Sequence, residues 1–147
     1  MATKIIQTST HIQASSETVW SILTDFERYP KWNSFIAQIS GRPEIGQTLK
    51  ASIGGMSFQP TVLVATPNQE LRWKGKLLIN GVFDGEHSFV IEPKADGVLF
   101  HQNETFTGLL VGLFAKKLDT ETKAGFEAMN LVLKKRAEEM EADAVKN

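Results

Sequence analysis

From Ile36 to Phe106 the chain shows no hydrophobic repeat of helical length; short runs rich in β-branched and aromatic residues alternate with turn signals instead. The turns are marked by Gly41-Arg42-Pro43, Gly54-Gly55, Pro67-Asn68, Asn80-Gly81 and Ala95-Asp96-Gly97. Strands joined without intervening helices cannot make parallel crossover units, so the six strands predicted at about 36–40, 47–53, 57–66, 69–78, 82–92 and 98–106 form an antiparallel meander. A seventh precedes them, with Ile6, Thr8, Thr10 and Ile12 on one parity and Gln7, Ser9, His11 and Gln13 on the other. Between it and the meander, Ser15-Ser16-Glu17 caps a short helix whose Val19, Ile22, Leu23 and Phe26 fall at i, i+3, i+4 and i+7. Tyr29-Pro30 disfavours helical backbone at Tyr29 and predicts a turn, with Trp32-Asn33 following as an aromatic plug. After a glycine-punctuated apolar segment, Thr107 to Ala115, the residues Phe126, Met129, Leu133, Ala137 and Met140 recur at helical spacing. They predict a final helix of about 25 residues from Leu118 onward, well above the usual three turns.

This order is α+β: a seven-stranded curved antiparallel sheet around a long C-terminal helix, with two short helices after the first strand. A helix crossing a curved sheet touches it along part of its length, and the gap left over is a natural place for a ligand. The whole chain, 1–147, reads as a single domain, since no linker or low-complexity stretch divides it.

Sixteen Lys and Arg against 17 Asp and Glu give a net charge of −1, which supplies no electrostatic attraction for nucleic acid or an anionic membrane. Lys134-Lys135-Arg136 is followed at once by acids and reads as a solvated helix face. Cysteine is absent, so disulfides, thiolate nucleophiles and cysteine-ligated metals are excluded. No uncharged apolar run approaches the ~18 residues of a membrane span, and the alternating N-terminus does not resemble a secretory leader, so a cytoplasmic location is expected. His11, His87 and His101 have no metal-ligand spacing, and no nucleophile-elbow, phosphate-loop or dinucleotide motif is present. No metal or cofactor is expected, and the oligomeric state is left as monomer or homodimer.

Function concentrates in the hairpin Phe83 to Phe106. Phe83, His87, Phe89 and Ile91 share one parity, as do Phe100, Gln102, Glu104 and Phe106, and both sets face inward. A Lys94-Ala95-Asp96-Gly97 turn sets the register, putting Ile91 opposite Phe100, Phe89 opposite Gln102 and His87 opposite Glu104. Asp84, Glu86, Ser88, His101, Asn103 and Thr105 are left for the wet face. Directly opposed residues bring their Cβ atoms to about 5 Å, so His87 and Glu104 are expected to touch inside an apolar face. Burial and mutual attraction pull the protonation of such a pair in opposite directions. The pair is either a structural brace, a polar anchor for a ligand carbonyl or hydroxyl, or an acid/base couple.

Trp73 shares parity with Leu71, Leu77 and Ile79 and belongs on the inner face if Gly81 makes a bulge in a three-residue loop. The expected ligand-lining set is therefore Trp73, Phe83, His87, Phe89, Phe100, Gln102, Glu104 and Phe106 from the sheet, with Phe126 and Met129 from the helix. Gly108 and Gly112 among leucines could act as a gate or as a plain connection, and Gly125 points to a close approach by a neighbour.

Val19-Trp20 through Asp25, then Tyr29-Pro30-Lys31-Trp32-Asn33, resembles the opening motif of the SRPBCC or START-like superfamily, in its polyketide cyclase/dehydrase and lipid-transport branch. Leu71-Arg72-Trp73, Gly85-Glu86-His87-Ser88-Phe89, Glu104 through Leu110, and Gly125 through Asn130 follow in the family's order. The resemblance implies a helix-grip fold and a small hydrophobic ligand, such as a lipid or polyketide-like aromatic, bound in an internal cavity for transport or sequestration. The alternative it implies is an aromatase/cyclase or dehydratase with His87 and Glu104 as the acid/base pair. A third reading, an interaction module such as a chaperone regulator, has no visible hot-spot patch to support it.

Overall fold

A computed structural model describes residues 2–53, 55–77 and 81–146. Strand β1 (Ala2–Ile12) leads into α1 (Ser16–Thr24), a 3-10 turn (Phe26–Arg28) and the short helix α2 (Tyr29–Trp32). β2 (Ile36–Ser40), β3 (Lys50–Ile53) and β4 (Met56–Phe58) form a three-stranded sheet. β5 (Thr61–Thr66), β6 (Glu70–Leu77), β7 (Phe83–Lys94) and β8 (Gly97–Gly108) join β1 in a five-stranded antiparallel sheet ordered β1-β8-β7-β6-β5. α3 (Val111–Lys117), a π-helical turn (Leu118–Thr122) and α4 (Lys123–Lys146) end the described chain.

The expected seven-stranded sheet is thus eight strands in two sheets, because the segment predicted as one strand over 57–66 divides at Gln59-Pro60. Pro60 has no N–H to offer a ladder. It is buried, its carbonyl accepts from Leu49 N at 2.8 Å, and the strands on either side pair with different partners, β3 and β6. Tyr29 also departs from its local preference: it is helical, with φ −51° and ψ −42°. Its ring is fully buried edge-on against Phe26 at 5.5 Å and Trp32 at 5.1 Å, and its hydroxyl donates to the Leu23 carbonyl. Burial, with Asp25 beside it, pushes the phenol far above its ordinary range, so the hydroxyl stays a donor. Pro30 sits in the first helical turn, where a missing N–H is harmless.

The β7–β8 register is the one that side-chain parity predicts: Ile91 faces Phe100, Phe89 faces Gln102 and His87 faces Glu104. Pairing continues to Lys94 and Gly97, so the turn itself is Ala95-Asp96. Gly97 has φ +145°, and a side chain there would run into the Ile12 carbonyl. On the other side Trp73 faces His87 and Leu71 faces Phe89, so the odd-to-odd phase holds. The bulge expected to restore that phase involves residues 78–80, which lie outside the described residues, as does Gly54 of the predicted Gly54-Gly55 turn. Of the outward set, Asp84 and Ser88 are covered, each 9% exposed, Asp84 accepting from Gly81 N.

Two apolar clusters fill the space between the sheet and α4. The larger includes Leu71, Trp73, Phe89, Phe100, Met129, Leu133 and Ala137 with α1 and the small sheet. The smaller is built on Ile6, Phe106, Val111, Leu118 and Phe126, with Phe35, Phe83 and Phe114 packed against it. Met140, predicted on the inner stripe, is 44% exposed because α4 has left the apolar core by that point.

The far half of α4 is lashed to the β1–α1 connection by carboxylates: Glu138 accepts from Gln13 N at 2.9 Å and from Lys134, and Glu141 accepts from Ser15 N. The backbone donors first, then the Lys134 ammonium at Glu138 and the Ser15 and Thr18 hydroxyls at Glu141, hold both carboxyls below the usual carboxylate range. Groups depressed on folding stabilise above their unfolded value and lose that contribution as pH falls through the folded one. Acid unfolding should therefore steepen below about pH 4, and Glu138→Gln with Glu141→Gln should flatten it. An unchanged acid limb in that double variant, followed by circular dichroism, would show the lashes to be idle.

Candidate functional site

The inward face of the five-stranded sheet carries one polar cluster, at the boundary of the two apolar ones. His87, 1% exposed, contacts Glu104 through Nδ1 and Oε1 at 3.0 Å, and Gln102 through Nε2 and Oε1 at 2.9 Å. Gln102 Nε2 donates to Asn130 Oδ1 at 2.8 Å and lies 3.4 Å from the Phe126 carbonyl. Asn130 Nδ2 donates to the Thr8 hydroxyl at 2.9 Å, and that hydroxyl donates to the Gln102 carbonyl at 2.7 Å. Strand pairing explains why the first three residues meet. His87 on β7 is directly opposite Glu104 on β8 and diagonal to Gln102, two residues away on the same face, while Asn130 reaches down from α4 one turn after Phe126.

Aromatic rings enclose the imidazole: Phe89 at 4.6 Å, Phe126 at 4.9 Å and Trp73 at 5.5 Å. Glu104 is less enclosed than the residue it pairs with, its side chain 15% exposed against 2% for His87. Among the described residues its second oxygen, Oε2, has no hydrogen-bond partner. That oxygen lies over Gly85, where any Cβ would overlap it, and the Phe106 ring leans on the same spot at 3.6 Å. Gly85 pairs across the sheet with Gly75, beside which an added Cβ would meet Pro60 at 3.7 Å. The Glu104 carboxyl therefore lies directly against the Gly85 backbone, while Pro60 approaches the same face at Gly75. Gly85→Ala should keep the fold, because a flexible carboxyl can swing aside, but should break the Glu104–His87 contact. Loss of the His87–Glu104 coupling in ¹⁵N spectra of the imidazole, with a melting temperature near wild type, is the expected result.

The sequence-derived set divides into three groups. Trp73, His87, Phe89, Gln102, Glu104 and Phe126 meet around the imidazole. Phe83 and Phe106, with centroids 5.6 Å apart, sit with Phe114 and Val111 in the smaller cluster. Phe100 and Met129 have no exposed surface and lie deep in the larger cluster. Trp32, of the aromatic plug, packs on Tyr29 and lines an external groove with Arg28, Arg136 and Met140.

The gap expected between sheet and α4 is occupied by these side chains. Two shallow hollows, of about 410 and 290 Å³, lie on the outside, along α4 and between α1 and α4. The segment read as a gate or a plain connection forms α3 and the turn before it, where Leu109 N and Leu110 N donate to the Gly81 and Val82 carbonyls just ahead of β7, and Leu109 and Leu113 are more than 70% exposed. Gly125 has the expected neighbour, the Phe35 ring.

Asn130 and Thr8 were not in the sequence-derived set. Both carried a signal: Asn130 is a polar residue on the buried stripe of α4, and Thr8 shares the inward parity of Ile6 and Ile12. Among the described residues no three His, Asp or Glu side chains are grouped to hold a metal ion, and no helix is long and apolar enough to cross a membrane.

An antiparallel sheet gripping a long C-terminal helix, with short helices after the first strand, defines the START-like, helix-grip class of α+β proteins. A family model described as polyketide cyclase/dehydrase and lipid transport matches residues 3–141, and the chain belongs to that family. No curated protein matches it by sequence. Among solved structures, a START superfamily protein from Mycobacterium smegmatis is 27% identical, with a TM-score of 0.69 over 92% of this chain and 98% of that one. The di-domain ARO/CYC StfQ from the steffimycin biosynthetic pathway is 12% identical at a TM-score of 0.77, covering 94% of this chain and 51% of StfQ, so this chain spans about half its length. The Aha1 dimer from Colwellia psychrerythraea is 22% identical at 0.72, covering 92% and 96%.

Proposed function

We propose that the chain acts as one ligand-binding unit for a small hydrophobic molecule with a polar handle, held between the Gly75–Gly85 strip and the smaller aromatic cluster with Glu104 as anchor. One observation carries this reading. In an inward face that is otherwise apolar or internally satisfied, Glu104 keeps a carboxyl oxygen without a partner among the described residues, beside bare backbone. A ligand donor placed there adds a hydrogen bond worth about 0.5–1.5 kcal/mol net, more where the carboxyl is charged. The smaller cluster is also the easier one to open, because Phe35, Phe83 and Phe114 are only half-buried and α3 above them exposes leucines. The guest replaces these rings rather than occupying a ready-made hole. The family's description, with its lipid-transport and cyclase members, supports an apolar guest.

Uptake of an apolar fluorophore such as anilinonaphthalene sulfonate, and a small organic mass retained in native mass spectra, are the expected results. Absence of both, with the fold intact, overturns the reading. A catalytic alternative, a cyclase or dehydratase in which His87 and Glu104 exchange protons with a ketide, is favoured by their 3.0 Å contact. Both ring nitrogens of His87 are engaged within the protein, however, which favours carriage or sequestration over turnover. If His87→Ala and Glu104→Gln leave turnover of a candidate substrate unchanged, the catalytic alternative is abandoned.

A further inference from the structure

The direction of each hydrogen bond from Thr8 through Asn130 and Gln102 to His87 follows from one backbone carbonyl. The Gln102 carbonyl can only accept, so the Thr8 hydroxyl, 2.7 Å away, spends its single proton there. Thr8 Oγ1 must then accept from Asn130, which turns the Asn130 amide nitrogen toward it and leaves Asn130 Oδ1 facing Gln102. That oxygen needs a donor, so the Gln102 amide nitrogen faces Asn130, where it also approaches the Phe126 carbonyl, and Gln102 Oε1 faces His87. An acceptor at 2.9 Å from Nε2 requires Nε2 to carry a proton.

With Nε2 protonated, the Nδ1–Oε1 contact has two bonded forms. Either Nδ1 carries a second proton and donates to a carboxylate, or the ring is neutral and a carboxylic acid donates from Oε1. In both, the one exchangeable proton lies on the line between Nδ1 and Oε1, and Oε2 carries none. The free oxygen is an acceptor whichever form prevails.

We propose that the site selects apolar ligands presenting an O–H or N–H donor, phenols and alcohols above all, and discriminates against matched ethers and ketones, with Thr8, Gln102 and Asn130 as positioning residues. This rests on the ligand-binding reading above and adds to it a substrate class. An ether oxygen or a ketone placed at Oε2 sets two acceptors against each other, and a site that hydrogen-bonds a ligand O–H or N–H rejects analogues without one.

The test compares 2-naphthol with its methyl ether, of similar shape and apolarity, by isothermal titration calorimetry on the wild-type chain. Naphthol should bind at least about tenfold more tightly, the range of one charge-assisted hydrogen bond. In Glu104→Ala the two probes should bind alike. ¹⁵N chemical shifts of His87 in the ligand-free protein should show Nε2 protonated, and Asn130→Ala, by freeing the Gln102 amide to turn, should relax that state. Equal affinity of the wild type for both probes, or an unprotonated Nε2, overturns the inference while the ligand-binding reading stands. Binding of neither probe removes the site and the inference together. The probe comparison and the nitrogen shift need no variant, so a poorly folding mutant leaves both readouts available.

Discussion

Gln102→Leu is expected to lower folding stability by about 3 kcal/mol, although it exchanges one buried side chain for another of similar volume. The loss does not come from a cavity. It comes from stranding the His87 Nε2–H and Asn130 Oδ1, both inside the protein and both partnered by Gln102, at about 1–3 kcal/mol each. For a chain of this size the change corresponds to a drop of about 10 °C in Tm. Urea titrations of Gln102→Leu, Asn130→Leu and the double variant check it. Because the residues share one network, the double variant should cost less than the sum of the singles. A single variant within about 0.5 kcal/mol of wild type would mean that other groups satisfy these atoms.

Phe126→Ala should cost about 4 kcal/mol, the range for truncating a fully buried aromatic residue. The Phe126 ring has no exposed surface, lies 4.9 Å from His87 and 5.3 Å from Phe35, and joins the polar cluster to the smaller aromatic one. Its removal leaves an apolar void beside the imidazole, so part of the loss should return when an apolar probe fills that void, in proportion to ligand concentration. Thermal melts with and without 2-naphthol measure both effects. A loss under about 1 kcal/mol would show that the ring is not packed as described.

Much of the site was legible because strands have a period of two. Parity along Phe83–Ile91 and Phe100–Phe106, with the Lys94–Gly97 turn, was enough to oppose His87 and Glu104. The order of helices and strands was equally readable from hydrophobic spacing. Two features escaped. Pro60 divides a β-rich run that looks continuous, and its two halves pair with different strands, β3 before it and β6 after it. Asn130 and Thr8 complete the polar cluster across 122 residues of chain, and no local pattern states which buried polar groups will meet.

The sequence alone determined the element order, the inward faces and the hairpin register, because side-chain direction and turn chemistry depend on neighbours a few residues away. Only the tertiary structure decided how these side chains pack against one another, that Glu104 is less enclosed than His87, and which way the hydrogen bonds from Thr8 to His87 run. Those outcomes depend on how side-chain volumes from β1, the β6–β8 sheet and α4 add up in one place, and on a backbone carbonyl whose partner arrives from the other end of the chain.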